Sequence, residues 1–444
     1  MPADKIAINV WLNEYPFPGF LDPLKEAAAT FGAAHPEYEV NIQGRDFRTM
    51  PTHVARGIAK GETPDLVEFF YTSTQLALDT LGRDGEPLFT PIGPAIGGRT
   101  EILGEPVLVD DVIPAARDFF TGESGRIAMP PTASTVLLYA NTTLLASAGV
   151  TSVPRTWAEV EAACRAVARL AGGPAHRIAW PNHMWMFLQA MAQQGGRLVD
   201  HDNGRSGRAE KISLVSDEMT AFFTWWQRLH RDGHFFYSGE QSDWMSCFKA
   251  FGEQGLAFIL SSSVDASRLI RQGREAGFTV EAAPMPYNDE VPYAGNLMGG
   301  DGMWLAAGLD PARRDGALAF MQHVIKPEHA VEWHKFQGRL PITRTAVRLL
   351  EEEGWFTEHP ERRVASDQLE ASAGLPGTLG PIFGEFAGIQ KEITSAMHDV
   401  LTGDAEPVAR FTQANTEAQQ LLDAYNAHCA GPPRRSPDSM KVAW

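Results

Sequence analysis

Apolar and polar residues alternate with a period of two over residues 5–12 (KIAINVWL) and again over 38–44 (YEVNIQG), the pattern of half-buried strands. Between them, residues 20–36 (FLDPLKEAAATFGAAHP) set apolar side chains at helical spacing and stop at a proline, which cannot continue a helix. Residues 52–70 (THVARGIAKGETPDLVEFF) predict a helix, a turn and a buried strand. This alternation predicts parallel strands with helices on both faces, the α/β class. Residues 126–141 (RIAMPPTASTVLLYAN) read as one long extended segment interrupted by Pro130 and Pro131, and 278–289 (FTVEAAPMPYND) as a second. Both predict crossings between lobes, and repeated crossings predict a hinge beside a cleft that can close on a ligand.

Residues 332–347 (EWHKFQGRLPITRTAV) interrupt a helical pattern and then resume it. Gly338 suits the left-handed residue that ends a helix, and Pro341 blocks its continuation. Thr343 is placed to cap the next helix, which runs through Leu350. Arg339 is therefore held in a tight corner. Either it presents its guanidinium to a ligand, or it pairs with a carboxylate and packs the corner. Upstream, Thr156 and Glu159 have capping-box spacing at the head of another helix.

At 444 residues the chain exceeds one core, so two lobes are expected. The predicted division is 1–131 plus 283–326 for the N-terminal lobe and 132–282 plus 327–430 for the C-terminal lobe. A Pro/Arg/Ser-rich flexible tail over 431–444 completes it. Apolar residues are 44% and charged residues 21%, ordinary for a globular protein. The net charge, 38 − 55 = −17, argues against nucleic acid and against a basic membrane-binding surface. No apolar run reaches the roughly 18 residues of a membrane span. Cys164, Cys247 and Cys429 have neither metal nor disulfide spacing and are expected to be buried thiols. The strand pattern starts too early for a signal peptide. The expectation is thus a cytoplasmic chain, or an extracytoplasmic one (periplasmic or a lipoprotein) whose targeting segment was replaced by a start methionine.

The segments HPEYEVNIQG, KGETPDLVEFF, STVLLYANTTLLASAGV, PRTWAEVEAAC, FGEQGLAF, PMPYND, GGDGMW and EWHKFQGRLPITRTA run in order over roughly residues 6 to 425. Together they resemble the carbohydrate-type extracellular solute-binding proteins of ABC importers, and within them the glycerol-3-phosphate-binding members. The resemblance implies a two-lobed periplasmic-binding-protein-like fold of type II, similar to maltose-binding protein. It implies a sugar, polyol or glycerol-phosphate-type ligand clamped between the lobes, ABC permease subunits as partners, and a monomer. It further implies ligand contacts at Phe47, Ser134, Trp185 with Trp180 nearby, Gly299 and Gly300, and Ser262 or Ser263. Three positions depart from the glycerol-phosphate pattern. Tyr71 stands where an acidic residue is usual, Arg339 replaces a tyrosine, and Ile382 falls where an arginine holds phosphate.

Trp11, Phe47, Tyr71, Trp180, Trp185 and Trp244 are candidates to line the cleft, since aromatic faces stack on the C–H faces of sugars. Alternatively these rings fill two cores, as Trp225 and Trp226 are expected to do from their mid-helix positions. His230 and His234 have the i, i+4 spacing of zinc ligands, but Gly233 breaks the helix and no third ligand is near. His329 and His334 do not share a helix face, so no metal is expected. No nucleotide loop, dinucleotide fingerprint or nucleophile elbow occurs, so no cofactor is expected. Glu14, Asp46, Asp243 and Asp301 remain as acceptors for ligand hydroxyls. They also support the alternative function, an enzyme on the same fold using a carboxylate pair on a sugar-like substrate.

Overall fold

Strand Ile6–Glu14 buries Ile8, Val10 and Leu12, as its alternation requires, and pairs in parallel with Tyr38–Asp46 from Ile6↔Tyr38 to Glu14↔Asp46. Leu66–Phe70 joins its other side in parallel, and Gly299–Ala306 then adds antiparallel. Phe89–Thr90 and Met129–Ser134 both pair with that last strand and complete the first sheet. The computed structural model describes residues 5–15, 19–403, 405–431 and 434–437. Of the predicted tail, 432–433 and 438–444 lie outside those residues.

The second sheet runs Phe235–Phe236, Ile178–Ala179, Phe258–Ser262, Val136–Asn141, Val280–Pro284. Val136–Asn141 is antiparallel to both its neighbours. The first extended segment is thus two strands in two different sheets, joined by Thr135 alone. The chain returns to the first sheet between Pro284 and Gly299. These changes fall a few residues beyond the predicted 131/132 and 282/283 boundaries, because each strand finishes its ladder before crossing.

A larger difference lies further on. Helix Pro327–Gln337 packs against helix Asp22–Ala34 on the first lobe. The corner behind it adds to the first sheet's edge, where Leu340 N–H donates to the Ala133 carbonyl at 3.0 Å. Helix Pro360–Glu370 packs on strand Val280–Pro284 of the second sheet. The chain therefore stays with the first lobe past residue 327 and crosses again between the corner and that helix.

The corner and caps form as their residues dictate. Gly338 is left-handed at φ 70°, and Thr343 caps helix Arg344–Glu352 by accepting from Ala346 N–H. Thr156 and Glu159 make the full capping box.

Side chains pin the crossings together. Gln368 donates to Thr135 Oγ1 at 3.0 Å and to the Val136 carbonyl at 2.8 Å. Its own carbonyl accepts from Met285 N–H at 2.8 Å. One buried glutamine thus ties two crossing segments, satisfying backbone groups that leave their sheets at these points.

Candidate functional site

A cavity of about 430 Å³ opens between the lobes beside these crossings. Its first-lobe wall carries Ser134 from the end of one strand, Gly299 and Gly300 from the start of another, and Arg339 from the corner. Tyr15, Phe20, Phe70 and Phe336 add aromatic surface there. Across the gap stand Trp185, at the second position of helix Met184–Gln193, and Ser262, at the end of its strand.

Trp185 and the glycine pair fit each other closely. A Cβ on residue 299 would lie 2.9 Å from the Trp185 ring and 3.3 Å from Ser134 Oγ, so only glycine admits this packing. Gly300 has φ 144°, and a Cβ there would meet the Thr132 carbonyl at 2.6 Å. Trp185 Nε1 is buried and has no hydrogen-bond partner, a donor left for something in the cavity.

Arg339 lies over two rings, 4.9 Å from Tyr15 and 5.1 Å from Phe20. It donates to Thr132 Oγ1 at 2.9 Å and pairs with Asp301 at 3.5 Å. Asp301 also accepts from Asn13 Nδ2 at 2.8 Å and from the Tyr15 hydroxyl at 3.1 Å. Glu68 stands in the same buried cluster, accepting from Asn13 N–H at 2.8 Å. Burial raises the Asp301 carboxyl above its ordinary range, and Arg339 opposes the rise. Burial and then the Asp301 charge push Glu68 well above its own. For Arg339 burial works against the charge, but Tyr15, Asp301 and Glu68 outweigh it and keep the guanidinium protonated. Arg339 thus pairs with Asp301 at the corner and also lines the cavity.

The rest of the second-lobe wall comes from the turn and helix after Ser262. Val264, Ser267, Arg268 and Arg271 all line the cavity. Their spacing, i, i+3, i+4 and i+7, is one face of a helix. Asp265 lies among them, its carboxyl raised to about 6 by burial. The periodicity is visible in the sequence, but a polar face reads there as an ordinary solvated one.

Other predicted contacts sit elsewhere. Trp180 is core, stacked 5.4 Å from Trp225 and tilted 5.1 Å from Trp226. Tyr71 is buried, edge-on to Phe70 and Phe119. Phe47 stacks behind Tyr15 at 4.6 Å, one layer from the cavity. Trp11 packs against Gly57 beneath the Arg45 guanidinium. Trp244 starts helix Trp244–Gly252, where its ring meets His183 and Phe248. Ser263 serves the crossing, its Oγ accepting from Thr135 N–H at 3.2 Å, while its neighbour Ser262 lines the cavity. Asp301 acts beneath Arg339 and does not line the wall. Ile382 is buried with its N–H bonded to the Asn203 carbonyl and is not part of the wall.

The acidic residues considered for catalysis are dispersed. Glu14 is exposed, Asp46 pairs with Arg48 at 2.6 Å, and Asp243 caps the Trp244 helix. No helix of the described residues is long and apolar enough to cross a membrane.

Two α/β lobes, strand crossings between them and a polar-aromatic cavity at the crossings are the architecture of a solute-binding protein. Residues 26–364 match the family described as bacterial extracellular solute-binding protein, and the chain belongs to that family. It is 27% identical over 318 residues, 70% of each chain, to the sn-glycerol-3-phosphate-binding periplasmic protein of Yersinia pseudotuberculosis. The corresponding protein of Salmonella typhimurium is 27% identical over 320 residues, again 70% of each. Among solved structures, the cyclic alpha-maltosyl-1,6-maltose binding protein from Arthrobacter globiformis superposes with TM-score 0.74 at 17% identity, covering 95% of this chain and 100% of that one. UgpB from Mycobacterium tuberculosis, in complex with glycerophosphocholine, gives TM-score 0.68 at 20% identity, over 95% and 99% of the two chains. These relatives and neighbours are binding proteins, and none supports the enzyme alternative.

Proposed function

We propose that this chain is the solute-binding subunit of an ABC importer. In this reading it works outside the cytoplasmic membrane as a monomer, delivers its ligand to permease subunits, and closes its lobes about the three crossings. Its ligand is a small hydroxylated molecule with one anionic phosphodiester group, of the glycerophosphodiester kind. The observation that carries this reading is the charge of the cavity wall. On a chain of net charge −17, three guanidinium groups (Arg268, Arg271 and Arg339) line one space whose lining carries a single carboxylate, Asp265; Asp301 pairs with Arg339 from beneath and Glu275 lies 3.9 Å from Arg271, both outside the lining.

The parts of such a ligand have places to go. Hydroxyls meet Ser134, Ser262 and the free Trp185 N–H, C–H surface meets the aromatic rings, and an anionic oxygen meets the arginines. Relatives that bind glycerol 3-phosphate, and a neighbour solved with glycerophosphocholine, support this class of ligand. The aromatic wall favours a second reading, a neutral sugar, the ligand class in the name of the Arthrobacter globiformis neighbour.

Calorimetric titration separates the two. Glycerophosphocholine is expected to bind and to raise the melting temperature, because binding to the native state alone adds about 2.7 kcal/mol at a hundredfold excess over Kd. Maltose is expected to do neither. The reverse result would replace the phosphodiester with a sugar.

A further inference from the structure

Behind the cavity lies a buried arginine that the site as described does not use. Arg362, on helix Pro360–Glu370, is only 8% exposed. Among the described residues it makes no ion pair. Glu361 acts on it through space and is itself near His359. Its Nη1 is buried with no hydrogen-bond partner, and its Nη2 donates to Ser267 Oγ. A Cβ on residue 338 would overlap this guanidinium, so the corner's glycine makes room for it as well as ending its helix.

A buried, unpaired charge is costly, which makes its one bond worth following. That bond is to Ser267. Ser267 lines the cavity in the same helical face as Arg268 and Arg271. With an oxygen lone pair taken by a cationic donor, its hydroxyl hydrogen is free to be donated to a group in the cavity, polarised by the charge behind it. A wall so arranged offers donors and a positive potential. It suits an acceptor-only group.

We propose that Arg362 is a specificity-determining residue, which acts through Ser267 to make this wall select an anionic oxygen of the ligand over a neutral hydroxyl. It is a positioning residue and does not itself line the cavity. The inference rests on the phosphodiester reading above and deepens it.

The test is calorimetry with glycerophosphocholine and with maltose on wild type, Arg362→Lys, Arg362→Gln, Ser267→Ala and Arg362→Gln/Ser267→Ala, at two salt concentrations. Arg362→Gln is expected to weaken glycerophosphocholine binding about tenfold, the scale of one charge-assisted hydrogen bond. It should also flatten the salt dependence, and Arg362→Lys should restore much of both. The double variant is expected to bind no worse than the weaker single variant, because both changes remove one path. If Arg362→Gln fails to fold, Ser267→Ala carries the test, expected to lose affinity for glycerophosphocholine while Arg362→Lys stays near wild type. Wild-type affinity and salt slope in every variant that folds would overturn the inference and leave the phosphodiester reading standing. Binding of maltose with none of glycerophosphocholine by wild type would overturn both.

Discussion

Replacing Arg339 with alanine should damage the protein before any ligand is added. The change leaves Asp301, 1% exposed, with Asn13 and Tyr15 as neutral partners and Glu68 close by. Removing one partner of a buried pair costs about 3–5 kcal/mol, because the remaining charge is stranded. The cost should depend on pH. Burial already raises the Asp301 carboxyl above its ordinary value, with Arg339 opposing the rise. Without Arg339 it should rise further. A carboxyl whose folded pKa lies above its unfolded one contributes stability that is present below the unfolded value and is lost as pH climbs to the folded value. The deficit of Arg339→Ala should therefore be largest near pH 8 and shrink toward pH 5. Adding Asp301→Asn should recover part of it by removing the stranded charge. Urea denaturation of the four proteins of this cycle at both pH values measures all of this. A loss below about 1 kcal/mol, equal at both pH values, would refute the buried ion pair as the support of the corner.

Three further outcomes are expected. Trp185→Ala should weaken ligand binding by about 2 kcal/mol or more, as loss of a buried aromatic anchor does, read by calorimetry; an unchanged Kd would remove Trp185 from the contact set. Asp265, titrating at about 6, should ionise as pH rises through that value and repel an anionic ligand, so affinity should fall between pH 5 and pH 7 in wild type and stay flat in Asp265→Asn. Ligand should make the protein more compact, so an identical radius of gyration by small-angle scattering with and without saturating glycerophosphocholine would count against a clamp.

Local chemistry made much of the fold legible. Period-two strands, a capping box at Thr156 and Glu159, and the Gly338–Pro341 corner each depend on a few adjacent residues, and each formed as expected. The predicted crossings lie near strand changes at Thr135 and after Pro284, whereas helix Pro327–Gln337, expected in the C-terminal lobe, packs on helix Asp22–Ala34. Its amphipathic pattern says that it must bury a face and is silent on which lobe receives it.

The cavity wall was legible where backbone constraint and chemistry coincide. Gly299, Gly300 and Ser134 sit at strand ends beside a crossing, and Arg339 in a corner that only certain residues can make. Aromatic candidates fared worse because burial selects the same residues in a core and in a cleft. Trp180 and Trp185 are five positions apart, yet the first faces the Trp225–Trp226 core and the second the cavity. Arg268 and Arg271 were hidden for the opposite reason. A charged helix face normally meets solvent, and only the opposing lobe turns this one into a wall.

A crystal structure of the protein grown with glycerophosphocholine tests the central claim most directly. The ligand is expected between closed lobes, its glycerol hydroxyls against Ser134 and the Trp185 N–H. Its phosphodiester oxygens should lie within hydrogen-bonding distance of Ser267 and at least one of Arg268, Arg271 and Arg339. An empty cavity at saturating ligand, or a phosphate group held away from these residues, would contradict the account.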